Sequence, residues 1–128
     1  KFDYPALAAQ LENPQSRPAQ VLRRYLRLLA LRGQESAFHP SGAQEVWDGD
    51  PEVFALFRQS PDRSHTILCL VNVTAHSKQL RLKHSSHPLV NAQAWLDLIS
   101  NQTHTPQDDC LEIHLAPYQC CWLKAVSR

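Results

Sequence analysis

The sequence predicts a mainly β fold with N-terminal helices: an antiparallel β-sandwich of about seven strands, preceded by a short helix and one long amphipathic helix. Three observations carry that expectation. Apolar residues recur at helical spacing over residues 17–32. From Pro40 onwards the period changes to two, in short runs separated by turn residues. The 128 residues, 43% of them apolar, are enough to build one core without covalent staples. The chain therefore divides into a helical segment, 1–40, and a β domain, 41–128.

The elements follow in order. "PALAAQLE" (5–12) is a short helical stretch. The long helix spans 17–32, with Ser16 as its cap, Pro18 tolerated in the first turn and Gly33 as its stop. Val21, Leu22, Tyr25, Leu26, Leu28 and Leu29 form a wide apolar stripe, and Arg23, Arg24 and Arg27 lie largely on the other side. "QEVWD" (44–48) and "EVFALFRQS" (52–60) are strands joined by a turn at Gly49 and Pro51. "HTILCLVNVT" (65–74) is nearly all apolar, as a central strand covered on both faces should be. "KQLRLKH" (78–84) alternates, with Leu80 and Leu82 inward, and suits an edge. "AWLDLIS" (94–100), "CLEIHLA" (110–116) and "YQCCWLKAV" (118–126) complete the set.

Charge and composition exclude several classes. Thirteen basic and twelve acidic side chains give a net charge of +1, which argues against nucleic acid as a partner. No run approaches the length of a membrane span, and the first ten residues carry no apolar signal core. The absence of methionine, even at position 1, predicts a processed piece or an excised domain. Cys69, Cys110, Cys120 and Cys121 include no C-x-x-C pair and read as reduced thiols of a cytoplasmic protein.

The candidate sites reduce to structure. In an extended strand Cys120 shares a face with Tyr118 and Trp122, and Cys121 shares one with Gln119 and Leu123. Two sulfurs on opposite faces cannot hold one zinc ion, so core packing is the expected role of the pair. His84 and His87 have no Cys or acidic partner at ligand spacing and are expected to be exposed and unliganded. His39 is expected to bond locally. Asp48, Asp50 and Glu52 surround a turn, Asp108 and Asp109 sit in a loop, and neither group suggests the facing carboxylates of glycoside chemistry. Three glycines exclude a phosphate-cradling loop. "NVT" (72–74) and "NQT" (101–103) match the glycosylation sequon, but both read as unmodified, Asn72 because it lies in a central strand. No catalytic, cofactor-binding or metal-binding residue is therefore expected. Trp47, Trp95 and Trp122 would bind sugar only if two lay coplanar on one exposed face. The helix 17–32 could instead support self-association or bind another protein.

Several motifs taken in order point further. "VLRRYLRLLALR", "ESAFHP", "QEVWD", "VFALFR", "ILCLVNVT", "WLDLIS" and "LAPYQCCWL" together resemble the end of α-amylase-superfamily enzymes (glycoside hydrolase family 13), closest to the branch of sucrose phosphorylase and glucosylglycerate phosphorylase. Leu28, Leu31 and Arg32 match the last barrel helix, and Ala37, Phe38, His39 and Pro40 the segment after it. Leu70 and Asn72 match an L-x-N strand, and Trp95, Asp97 and Leu98 a W-x-D-L segment. Leu115, Pro117, Tyr118, Trp122 and Leu123 match the closing strand. Asn101 stands where the family usually has glycine, and it is the next best residue for a left-handed turn. The resemblance implies a non-catalytic, structural C-terminal domain whose partner is the missing catalytic barrel of its parent chain. It also implies that the parent cleaves an α-glucoside with phosphate, through a covalent glucosyl-enzyme, to give glucose 1-phosphate. The family's catalytic Asp, Glu and Asp belong to barrel strands, so no residue here inherits those roles.

Overall fold

The computed structural model describes residues 3–126, which fall into two compact units divided between Gln34 and Glu35. In the first unit Asp3 caps helix α1 (Tyr4–Glu12) by accepting from Ala6 N–H at 3.2 Å. Ser16 caps α2 (Arg17–Gln34) in the same way, its Oγ accepting from Ala19 N–H at 3.3 Å. The helix runs past Gly33 to Gln34, so glycine alone does not end it. Val21, Leu22, Tyr25, Leu26 and Leu29 are all exposed along α2.

The second unit is a β-sandwich of eight strands, every pair antiparallel. They are β1 (Ala43–Trp47), β2 (Val53–Gln59), β3 (Thr66–Asn72), β4 (Lys78–Lys83), β5 (Ala94–Asp97), β6 (Thr103–His104), β7 (Cys110–Leu115) and β8 (Cys120–Val126). One sheet has the order β1-β2-β3-β8-β5-β6, and the other is the pair β4-β7. The eighth strand is β6, only two residues long and too short for any periodicity to reveal.

Period-two alternation decides the core. Val53, Ala55 and Phe57 on β2, Leu68 and Leu70 on β3, and Cys121 and Leu123 on β8 point inward. There they meet Leu80 and Leu82 of β4 and Leu111, Ile113 and Leu115 of β7. Trp95 is fully buried in the same cluster. β4 has a partner on one side only, as its alternation suggests.

Two predicted strands are shorter than their apolar runs. "AWLDLIS" leaves the sheet at Asp97, where Asn101 N–H returns to Asp97 O at 2.7 Å and Asn101 takes a left-handed φ of 65°. The last strand begins at Cys120, not Tyr118. Gln119 N–H donates to Ala116 O at 3.0 Å, closing a turn over Pro117 and Tyr118, and Tyr118 has φ 57°. Tyr118 therefore belongs to the turn and shares no strand face with Cys120. Proline fixes the first central position of such a turn, which overrides the β-propensity of tyrosine at the second.

Candidate functional site

The residues with possible chemistry are placed as follows. Cys121 is buried on the inner face opposite Leu70, while Cys120 lies on the outer face opposite Val71. The two sulfurs are thus parted by the sheet. Burial is the main cause that pushes the Cys69 and Cys121 thiols up to about 12. Neighbouring charge, from Cys120 and Asp97 respectively, adds to it. Cys120 is raised as well, by burial first and then by Asp97. Thiols held protonated in this way are neither nucleophiles nor ready metal ligands.

A pH dependence follows. The unfolded thiols ionise near their ordinary value of 9.0, those in the fold only near about 12. The stabilisation is fully present below the unfolded value. As pH rises the unfolded chain loses protons first, so stability falls between these limits, by at most about 1.4 kcal/mol per pH unit for each thiol. Urea midpoints measured at pH 8 and 10.5 are expected to drop less for Cys69→Ala with Cys121→Ala than for the unchanged chain. Equal drops would refute this account of the thiols.

Histidines and carboxylates pair with each other or with the backbone. His87 is not exposed as its sequence context suggests: its side chain is only 11% accessible. The ring stacks on Phe57 at 4.4 Å, Nδ1 accepts from Leu89 N–H at 3.1 Å, and Nε2 faces Glu45 at 3.1 Å. The connection from β4 to β5 thereby reaches residues of both β1 and β2. His84 Nδ1 lies 3.6 Å from Asp109, and His39 Nδ1 accepts from Ser41 N–H at 3.0 Å. Lys78 binds Glu52 at 3.0 Å and Asp50 at 3.4 Å, and His76 binds Glu52 at 2.9 Å. The Lys78 hydrogen bond is the main cause that lowers the Glu52 carboxyl, so this cluster is an ion-pair network. Among the described residues no three His, Cys, Asp or Glu are placed to hold a metal. No helix among them is long and apolar enough to cross a membrane.

The tryptophans do not share an exposed face. Trp95 is buried, Trp47 packs from the inner side against the core, and Trp122 lies on the outer face with its ring 5.1 Å from Phe38. Asn72 is fully buried and carries hydrogen bonds through both ends of its amide, so no glycan can attach there.

The outer face of the large sheet is the surface that sequence reading did not resolve. Arg58 reaches Ala37 O through Nε at 3.3 Å and His39 O through its terminal amine at 2.8 Å. Lys124 pairs with Glu35 at 2.9 Å, and Phe38 covers Trp122. Residues 35–39 are thereby fastened over one end of this face. At the other end Val46, Phe54 and Val73 are 61%, 50% and 54% exposed and line one shallow depression with Pro51 and the carboxylates Asp48 and Asp50. The only sequence signal was the apolar character of both faces of β2 and β3.

Comparison with known proteins extends these observations. Residues 44–122 match the family described as maltogenic amylase, C-terminal domain. The chain is 36% identical over 128 residues to the glucosylglycerate phosphorylase of Spirochaeta thermophila, a match covering 96% of this chain and 22% of that protein. It is 30% identical over 123 residues to the glucosylglycerate phosphorylase of Allomeiothermus silvanus, covering 96% of this chain and 18% of that protein. The chain thus spans about a fifth of the length of the curated relatives it matches. Among solved structures, AmyP in complex with maltose aligns with a TM-score of 0.75 at 20% identity, over 88% of this chain and 22% of that one. An α-amylase from Anoxybacillus aligns with a TM-score of 0.73 at 13% identity, over 91% of this chain and 24% of that one. At those identities the structural likeness speaks for the fold alone.

Proposed function

The chain belongs to the maltogenic amylase C-terminal domain family, and from that premise we propose that it is the non-catalytic end of a sucrose-phosphorylase-like enzyme. Residues 41–128 are the β domain in this reading, and residues 1–40 carry the last helix of a (β/α)8 barrel. The parent cleaves an α-glucoside with inorganic phosphate and releases glucose 1-phosphate. The observation that carries the reading is the match over 96% of this chain, helices included, within 22% of a glucosylglycerate phosphorylase. The contribution of the chain is mechanical: a packed core with residues 35–39 fastened over one end of its outer face makes the β unit a rigid support for the rest of the enzyme. The four unpaired cysteines fit a reducing, cytoplasmic setting.

The test is an assay for glucose 1-phosphate. Residues 1–128 incubated with glucosylglycerate, or with sucrose, and phosphate are expected to release none. The full product of the parent gene is expected to release it from at least one of the two. Turnover by 1–128 alone, or a parent inert toward both, overturns the reading.

A further inference from the structure

We propose that the concavity between α2 and the loop before it, lined by Arg23, Arg24 and Arg27, binds a small phosphate-bearing anion, either inorganic phosphate or a sugar phosphate. The ligand class follows from the residues of the helical unit, and only the orientation of the site in the parent enzyme rests on the function proposed above.

Charge is distributed unevenly along the chain. Residues 1–34 hold six Lys and Arg against two acidic residues, Asp3 and Glu12, a net side-chain charge of +4. Residues 35–128 hold seven against ten, a net charge of −3. The overall +1 therefore conceals a strongly basic helical unit. All but one of its cations are on α2, which carries five arginines and no Asp or Glu.

The arginines gather on one side of the helix. Gln20, Arg23, Arg24 and Arg27 recur at i, i+3, i+4 and i+7 and share a face, opposite the apolar stripe of Val21, Leu22, Tyr25, Leu26 and Leu29. With Pro14 and Gln15 of the loop they line an open concavity of about 560 Å³, and no carboxylate is among its lining residues. That volume is ample for a small ligand. Arg23 and Arg27 stand four residues apart, where like charges repel and weaken a helix. No acidic side chain of α2 offsets that repulsion. A bound dianion would relieve it.

The walls hold the site in shape. The terminal amine of Arg23 donates to Pro14 O at 2.8 Å, which fixes the guanidinium between helix and loop. Gln20 Nε2 donates to Gln15 O at 3.4 Å, and Gln15 N–H donates to Asn13 Oδ1 at 3.0 Å. A guanidinium presents five N–H donors in a planar fork, and the bond to Pro14 engages one amine of it. Such forks match the oxygens of a phosphate group bidentately, which a lysine ammonium does not. In the parent the apolar stripe is the side that packs on the barrel, which turns the arginine face outward.

The experiment titrates residues 1–128 with inorganic phosphate and with glucose 1-phosphate at physiological ionic strength, followed by backbone amide and arginine side-chain resonances. Saturable shifts are expected at residues 14–27. Arg23→Gln with Arg24→Gln is expected to weaken binding by about tenfold or more without loss of helix by circular dichroism, since Gln is a good helix former. Arg32→Gln, outside the concavity, is expected to leave binding level. Tighter binding of glucose 1-phosphate identifies the ester as the ligand, and equal or weaker binding identifies the phosphate group alone; either result supports the site. Shifts that do not saturate, or an equal loss from Arg32→Gln, overturn it. Equilibrium dialysis of the full parent with the tighter ligand, labelled, is expected to count one equivalent fewer in the double variant. An unchanged count overturns the proposal as well, because the arginines then serve contacts inside the enzyme. Glucose 1-phosphate release by the unchanged parent is assayed separately. Release without binding at residues 14–27 refutes the site and keeps the reaction, and binding without release does the reverse.

Discussion

Replacing Asn72 with alanine is expected to destabilise the β unit by about 2–3 kcal/mol, a large share of what a domain of this size has. The side chain is fully buried at the end of β3. Its Nδ2 donates to His76 O at 2.8 Å and to Ala116 O at 3.0 Å. Its Oδ1 accepts from Thr74 N–H at 3.0 Å and from Thr74 Oγ1 at 2.7 Å. Alanine would leave the Thr74 amide without its acceptor in a part-buried turn and would take one donor from each carbonyl, Ala116 O keeping Gln119 N–H and His76 O keeping Thr74 Oγ1. Asn72→Asp should be no milder, because a buried carboxylate would then face two carbonyl oxygens. Urea unfolding followed by tryptophan fluorescence measures both variants. A loss below about 1 kcal/mol for Asn72→Ala would show that the amide is not the node it resembles.

Asp97→Ala is the second large effect, expected at about 2–4 kcal/mol, with Asp97→Asn clearly smaller. Oδ1 accepts from Ile99 N–H at 3.1 Å and from Trp122 N–H at 3.2 Å, and Oδ2 accepts from Ser100 Oγ at 2.8 Å. The carboxylate thereby ties the turn after β5 to β8 at the point where the sheet ladder gives out. Asparagine keeps one carbonyl oxygen for the two backbone amides, whereas alanine keeps nothing. If the two variants lose equal stability in urea, the hydrogen bonds to Oδ1 are not what holds the turn.

These two residues show how the sequence motifs translate into physics. Asn72 and Asp97 both fall in stretches that resemble α-amylase-superfamily enzymes, and both are polar groups in runs otherwise apolar. The structure places each inside the fold, with backbone groups as partners. Asn101 was legible through the resemblance: it stands where the family usually has glycine, it tolerates a left-handed backbone, and its φ is 65°. Tyr118 was not legible, because Pro117 dictates its conformation against its own preference.

The sequence by itself determined the mainly β class, the two helices, seven of the eight strands to within a few residues, and the parting of Cys120 from Cys121. All of these follow from periods of 2 or 3.6 residues, which local geometry imposes on neighbours in the chain. Only the tertiary structure decided which partners Asn72 finds 44 residues away, that His87 stacks on Phe57, and which end of the outer face stays open. Those outcomes depend on β8 lying between β3 and β5, a pairing of strands far apart in sequence. A repeat period says which side of a strand is apolar, but not which strand will stand beside it or what will cover its other face.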